Sequence, residues 1–309
     1  NAPIVSSALI GPSSPATDAD LDAVWTFVDT DDGDTQLDFE IEWYRDGVHV
    51  PEYDDLDQLP HTATSRGEVW HYTVIVSDGI DWSNLTSSQS VTILNTAPMV
   101  TDVLLSPENP TSSDDIGIFA NYSDLDGDVE ATPTVRWYRD GQLQSQLANN
   151  LVLSASETNR GEVWMARYTP NDGTSMGSET QSTTVTIGNS LPGISSISLT
   201  ENPTALSPLD LILGGLPYDT DNDEIALHIQ WMRDGFHVSA LDNATSVSTE
   251  WLAVGQSWTV SLQISDGFGI SPKITSEDAV IVNLMPTAQF AVGETVLIEA
   301  MTSFDASLS

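Results

Sequence analysis

The sequence contains no cysteine and a single lysine, Lys273. Without cysteine, neither disulfides nor a thiolate metal site can hold the fold, which excludes small disulfide-stapled modules but not secretion. Only 8 basic side chains stand against 46 acidic ones, for a formal net charge of −38. A surface of that sign repels nucleic acid and anionic lipid, whose binding rests on Lys and Arg, and it attracts cations. Adaptation to a salty environment and simple solubility compete with specific metal binding as causes of the charge until the positions of the acids are read. There is no run of about 18 apolar residues, so no membrane insertion is expected within this segment. Asn1-Ala2-Pro3 does not read as a signal peptide. Long stretches of helical periodicity are also missing, and the five histidines, His49, His61, His71, His228 and His237, show no metal-ligand spacing.

What the sequence does have is a period. Trp43-Tyr44-Arg45-Asp46-Gly47 returns as Trp137-Tyr138-Arg139-Asp140-Gly141 and as Trp231-Met232-Arg233-Asp234-Gly235, 94 residues apart each time (137 − 43 and 231 − 137). Gly67, Gly161 and Gly255 keep the same register, as do Trp70, Trp164 and Trp258, and the pairs Asp78-Gly79, Asp172-Gly173 and Asp266-Gly267. A fixed period of this size marks one structural unit copied along the chain. Junctions recur at Asn95-Thr96-Ala97-Pro98, Asn189-Ser190-Leu191-Pro192 and Asn283-Leu284-Met285-Pro286, with Asn1-Ala2-Pro3 a shorter version. The predicted repeats are therefore 1–94, 95–188 and 189–282, with 283–309 beginning an incomplete fourth.

Within a repeat the apolar pattern has period two, as in Trp70, Tyr72, Val74 and Val76, and short runs are bounded by Gly, Asp, Asn and Pro. Several short strands in a unit of about 100 residues predict an all-β fold, a tandem array of immunoglobulin-like antiparallel β-sandwiches. Trp43, Trp137 and Trp231 are then expected in the core of the third strand, and the Arg-Asp-Gly after each is expected to turn.

The stretch Gly67-Glu68-Val69-Trp70-His71-Tyr72-Thr73-Val74-Ile75-Val76-Ser77-Asp78-Gly79 resembles the late strand and turn of PKD-type and cadherin-like immunoglobulin modules. Pro286-Thr287-Ala288-Gln289-Phe290, with Gly293-Glu294-Thr295-Val296 and Ser303-Phe304-Asp305-Ala306-Ser307, is similar to the opening of a PKD domain. The resemblance implies the sandwich fold and supports no single activity.

An acidic loop precedes each core tryptophan: Asp29-Thr30-Asp31-Asp32-Gly33-Asp34, Asp124-Leu125-Asp126-Gly127-Asp128 and Asp219-Thr220-Asp221-Asn222-Asp223-Glu224. Carboxylates at alternate positions on a turning backbone can converge their oxygens, and Ca²⁺ takes about six to eight oxygen ligands. In an immunoglobulin-like topology this loop, the Asp of the Asp-Gly pair and the incoming linker meet at one end. The expected Ca²⁺ ligands are Asp29, Asp31, Asp34 and Asp78 in the first repeat. In the second they are Asn95, Asp124, Asp126, Asp128 and Asp172, and in the third Asn189, Asp219, Asp221, Asp223 and Asp266. The bland alternative is a solvated turn, since turns are rich in Asp, Asn and Gly. The helix-flanked calcium hand does not fit these loops, because Asp34 or Glu224 stands where it needs Gly.

Gly173-Thr174-Ser175-Met176-Gly177 matches the nucleophile-elbow pattern but sits in a predicted turn with no helix after it, and no enzyme activity is expected. Asn84, Asn121 and Asn243 begin Asn-x-Ser/Thr sequons, about as many as chance gives in a Ser/Thr-rich chain. Residues 283–309 supply only the first strands of a sandwich. This is either a window on a longer repeat protein or a sandwich completed by a strand from another chain. The expected role is structural: an extracellular or cell-surface stalk, adhesin, or filament or sheath subunit, rigidified by Ca²⁺ at its junctions. Its expected partners are neighbouring repeats and further copies of itself in a filament or surface layer. The alternatives are accessory modules of a large secreted hydrolase and glycan-binding modules using Trp25, Trp82 and Trp251 as platforms.

Overall fold

The computed structural model describes residues 1–284 except Asp32 and Asp34. Asp34 of the expected metal set, and all but the first two residues of the expected fourth repeat, lie outside the described residues. Two compact units form, one from Asn1–Pro110 with Asp114–Ile187, the other from Thr111–Ser113 with the described residues from Gly188 onward. The first unit holds two hydrophobic cores, spanning Ala8 to Ile93 and Val100 to Ile187. The second holds one, from Ile194 to Ile281. Each core defines a module.

In the first module one sheet runs β1 (Ile4–Gly11), β2 (Leu21–Val28), β5 (Gln58–Leu59), and the other runs β4 (Val48–His49), β3 (Asp38–Arg45), β6 (Val69–Ser77), β7 (Thr86–Ser87), with β8 (Val91–Thr92) also on β6. The second module repeats this with β9 (Met99–Ser106), β10 (Ile116–Ser123) and β13 (Val152–Leu153) facing β12 (Gln142–Leu143), β11 (Thr134–Arg139), β14 (Val163–Thr169), β15 (Thr180–Gln181) and β16 (Val185–Thr186). In the third module β17 (Ile197–Leu199), β18 (Leu209–Leu213) and β21 (Ser246–Val247) face β20 (Phe236–His237), β19 (Ala226–Arg233), β22 (Ser257–Ser265), β23 (Ile274–Thr275) and β24 (Ala279–Val280). Every strand pairing among the described residues is antiparallel, and the chain is a tandem array of immunoglobulin-like β-sandwiches. The sequence pattern shows no helix, and among the described residues the structure adds only single 3₁₀ turns of three residues, such as Pro51–Tyr53 and His61–Ala63. These are too short to leave a periodic signature.

Each core is built on the recurring tryptophans. Trp43 and Trp70 are wholly buried with rings edge-on at 6.4 Å, matched by Trp137 and Trp164 at 6.3 Å and Trp231 and Trp258 at 6.4 Å. Burying an indole requires a partner for its N–H. Trp43 donates to the Leu56 carbonyl at 2.8 Å, Trp137 to Asn150 at 2.9 Å and Trp231 to Ala244 at 2.9 Å. Tyr72 crosses the first sandwich to the Val24 carbonyl at 2.8 Å, and burial pushes its phenol up to about 12.

The Asp-Gly after each core strand closes a two-residue hairpin. Asp46 and Gly47 both have positive φ, 50° and 80°, the combination that a strand-matching tight turn demands. The Asp46 carboxylate then accepts from Val69 N at 2.9 Å, as Asp140 does from Val163 at 3.0 Å and Asp234 from Ser257 at 2.9 Å. The turn thus also pins the start of the long neighbouring strand. At the exit of the first module Leu94 N donates to the Pro15 carbonyl at 2.7 Å beside a parallel bridge between Ala16 and Leu94. The third module repeats this with Val282 N on Pro203 at 2.9 Å and a Thr204–Val282 bridge.

Candidate metal centre

The acidic loops leave the ends of β2 and β10 and the segment between β18 and β19, and the first aspartate of each organises its loop. Asp124 Oδ1 accepts the backbone N–H groups of Asp126 at 2.8 Å and Asp128 at 3.1 Å. Asp219 Oδ1 does the same for Asp221 at 2.9 Å and Asp223 at 3.1 Å, and Asp29 Oδ1 accepts from Asp31 at 2.7 Å. These bonds curl the backbone so that alternate side chains face inward. The other oxygen of each leading aspartate, Oδ2 of Asp29, Asp124 and Asp219, is buried with no hydrogen-bond partner. A buried acceptor left unmatched costs about 1–3 kcal/mol, and more when it carries charge. A bound cation would remove that cost.

In the third module the carboxylate oxygens of Asp219, Asp221 and Asp223 lie within 4.8 Å of one another, the one such group among the described residues. Three half-buried carboxylates, one with an unmatched oxygen, form an all-oxygen donor set that fits a hard divalent cation. The matching Asp124, Asp126 and Asp128 do not close to that distance.

Linker and loops meet as the topology requires. In the second module Thr96 N donates to Asp126 Oδ2 at 2.7 Å, and Asn95 Nδ2 donates to Asp172 Oδ2 at 2.8 Å. In the third, Ser190 N donates to Asp221 at 2.8 Å and Asn189 Nδ2 to Asp266 Oδ2 at 2.8 Å. Asp172 and Asp266 are engaged on both oxygens, because Oδ1 also takes two backbone N–H groups of its own turn, Thr174 and Ser175 or Phe268 and Gly269. Asp78 likewise caps Ile80 and Asp81, each at 2.7 Å. The residues expected as one ligand set therefore form two groups, a carboxylate loop and an Asp–Asn latch that positions the linker beside it. In the first module the Asn1 amide reaches Asp31 at 2.9 Å rather than Asp78.

Sequence reasoning missed a guanidinium at this end of the second module. Arg66 bonds both carboxylate oxygens of Asp128, and also Asn95 Oδ1. Beside it the Thr17 hydroxyl donates to Asp126, and Asp18 N donates to Thr96 Oγ1 at 3.2 Å. The signal was present: Arg66 and Arg160 stand in the same register, each directly before its recurring glycine, in a chain with few basic residues.

The latch fixes a pH dependence. Backbone N–H from Ser175, with Asn95, holds the Asp172 carboxyl far below the usual range; Asn189 and the turn N–H groups lower Asp266, and the Asp81 and Ile80 N–H groups lower Asp78. A carboxyl with a depressed folded pKa adds stability that is complete above its unfolded value of about 3.9 and is lost as pH falls through the folded value. Acidification also relieves the repulsion among the surface acids, with the opposite sign. The latch is therefore read as a difference: melts taken below pH of about 4 should show the parent losing its stability advantage over Asp172→Asn. A constant gap across that range would remove the latch from the stability account.

Other residues singled out in the sequence sit apart from these loops. Ser175 is held in the turn by Asp172 and Asn95 with no helix after it. Trp82 is 42% exposed, whereas Trp25 packs on Phe39 at 5.0 Å and Trp251 packs against the third core, so of the three Trp82 is the one open to solvent. Of the sequon asparagines, Asn121 donates to Thr101 at 3.0 Å and Asn243 accepts from Ile229 at 3.1 Å.

No family model matches this chain, and no curated protein matches it. Among solved structures, the FN1–FN3 domains of chicken CNTN1 align with 91% of this chain and 100% of their own length at 10% identity, with a TM-score of 0.29. Domains A168–A170 of titin align with 91% of this chain and 99% of theirs, also at 10% identity and a TM-score of 0.29. The class, tandem immunoglobulin-like sandwiches, rests on the chain's own sheets and cores.

Proposed function

We propose that this chain is a non-enzymatic structural region of an extracellular or cell-surface protein, a stalk, adhesin or filament subunit, whose acidic loops bind Ca²⁺ at the amino ends of its modules. One observation carries the reading: the same buried, unmatched carboxylate oxygen recurs on Asp29, Asp124 and Asp219. A turn made only for solvent has no reason to bury that oxygen three times. The resemblance to PKD-type and cadherin-like modules agrees with this role, as does the acidic surface. Asp219, Asp221 and Asp223 would hold the ion in the third loop, and Asp29 and Asp124 would offer it their unmatched oxygens in the first and second. Asp126 and Asp221 also carry the linker N–H groups of Thr96 and Ser190, so fixing the loop fixes the linker. In the third loop a bound cation would supply positive charge that lets the adjacent carboxylates stay close; without it they repel and that loop loosens.

Equilibrium dialysis and titration calorimetry of the full chain against Ca²⁺ test the proposal. Binding in the micromolar to millimolar range of extracellular modules is expected, weakened by Asp219→Ala. No bound Ca²⁺ at millimolar concentration would sink it, leaving solubility or salt adaptation to explain the charge.

A further inference from the structure

The geometry points to Arg66 as the cation that couples the first two modules: the leaving end of the first is a docking surface for an acidic module end, and no divalent ion is needed to join them. This goes beyond the calcium proposal and stands without a bound ion.

The surface has three parts, all from the first module. Arg66 lies at the turn before β6, where Gly67 has a φ of +90° that lets the chain reverse and present the arginine outward. Its guanidinium forks onto both oxygens of Asp128 and also reaches Asn95 Oδ1. A planar fork on a carboxylate fixes orientation as well as distance, unlike a point charge. The Thr17 hydroxyl takes Asp126, and Asp18 N takes Thr96. The first module therefore grips Asn95, Thr96, Asp126 and Asp128 of the second, while Asp124 keeps its unmatched Oδ2.

The side chains of Arg66 and Asp128 are 38% and 25% exposed, so the pair is partly withdrawn from water and from screening. A divalent ion bridging the same partners would need Asp128 and Asn95 Oδ1, which the guanidinium already occupies. Asp128 is thus committed to the arginine, which leaves Asp124 as the carboxylate that would face an ion.

The repeat register gives this surface a partner rule. Counting two residues on from Pro15, Pro110 and Pro203, the position of Thr17 is Ser112 in the second module and Ala205 in the third. The position of Arg66 is Arg160 and then Val254. The third module has methyl groups where the first has a hydroxyl and a guanidinium, so it cannot grip an acidic loop in this way.

The absence of cysteine makes the test clean. Spin labels on Ser87→Cys and Ser145→Cys, both exposed, report the distance between the first two modules in the full chain by double electron–electron resonance. The parent should give one narrow distance that is the same in millimolar Ca²⁺ and in excess chelator. Arg66→Ala should spread that distance in chelator, Arg66→Lys should spread it less, and Arg136→Ala, which removes an arginine paired with Glu179 inside the second module, should leave it narrow. Broadening of the parent on chelation would overturn the inference and assign the coupling to the ion. A narrow distance in Arg66→Ala would also overturn it, with an unchanged melt confirming that both modules remain folded. Calcium titration of the same samples reads the metal proposal separately, so failure of either is visible without the other.

Discussion

Trp137→Ala is expected to unfold the second module at a temperature where the other two remain folded. The indole is fully buried, packs edge-on against Trp164 and donates to the Asn150 carbonyl. Removing a buried Trp side chain costs about 3–5 kcal/mol, through lost transfer energy and the cavity left behind. A domain of this size is held by about 5–15 kcal/mol in total, so one residue removes a large share of its stability. Calorimetry of the full chain should show one transition moving down while the remainder stay in place, because the three cores are separate clusters. Trp82→Ala is the control. At 42% exposure it lies outside those clusters and should change stability by no more than about 0.5 kcal/mol. Equal shifts for the two variants would refute the assignment of Trp137 as the core residue.

Asp219→Asn should reverse the sign of its effect with calcium. The asparagine keeps an Oδ1 to accept from Asp221 N and Asp223 N, so the loop retains its curl. In chelator the substitution removes a buried, unmatched anionic oxygen that sits with two other carboxylates. Relief of that penalty, about 1–3 kcal/mol, makes the variant more stable than the parent. In saturating Ca²⁺ the parent gains binding energy that the variant loses, about 2.7 kcal/mol at a hundredfold excess over the dissociation constant. Thermal melts in the two buffers should therefore cross. A variant less stable than the parent in both buffers would assign Asp219 to loop structure alone, and one more stable in both would leave the ion without a ligand there.

Much of the fold is legible in the sequence because a 94-residue period turns weak local signals into coincidences. Alternation in Trp70, Tyr72, Val74 and Val76 predicts a buried face, and all four side chains are wholly buried. The Asp46-Gly47 turn is legible for the same reason, but its carboxylate bond to Val69 is not, since Val69 lies 23 residues away. The acidic loops are legible as loops. Which of their oxygens are engaged is hidden, because an aspartate capping a turn and an aspartate facing an ion are the same letter. Asp172 and Asp124 illustrate the pair, the first engaged on both oxygens and the second on one. Arg66 escapes notice because its partners are 29 and 62 residues away. The scarcity of basic residues reads as a bulk charge, whereas the informative quantity is where the few arginines stand.

The bond between Leu94 N and Pro15 has a mechanical consequence. It joins the segment between β1 and β2 to the leaving segment of the first module side by side in parallel, as the Thr204–Val282 bridge joins the matching segments in the third. When a chain is pulled from both ends, contacts between parallel segments near those ends are loaded in shear, and they must fail together instead of opening one at a time like a zipper. Tension on the leaving end of the first module thus meets this contact before it can peel β8 from the core.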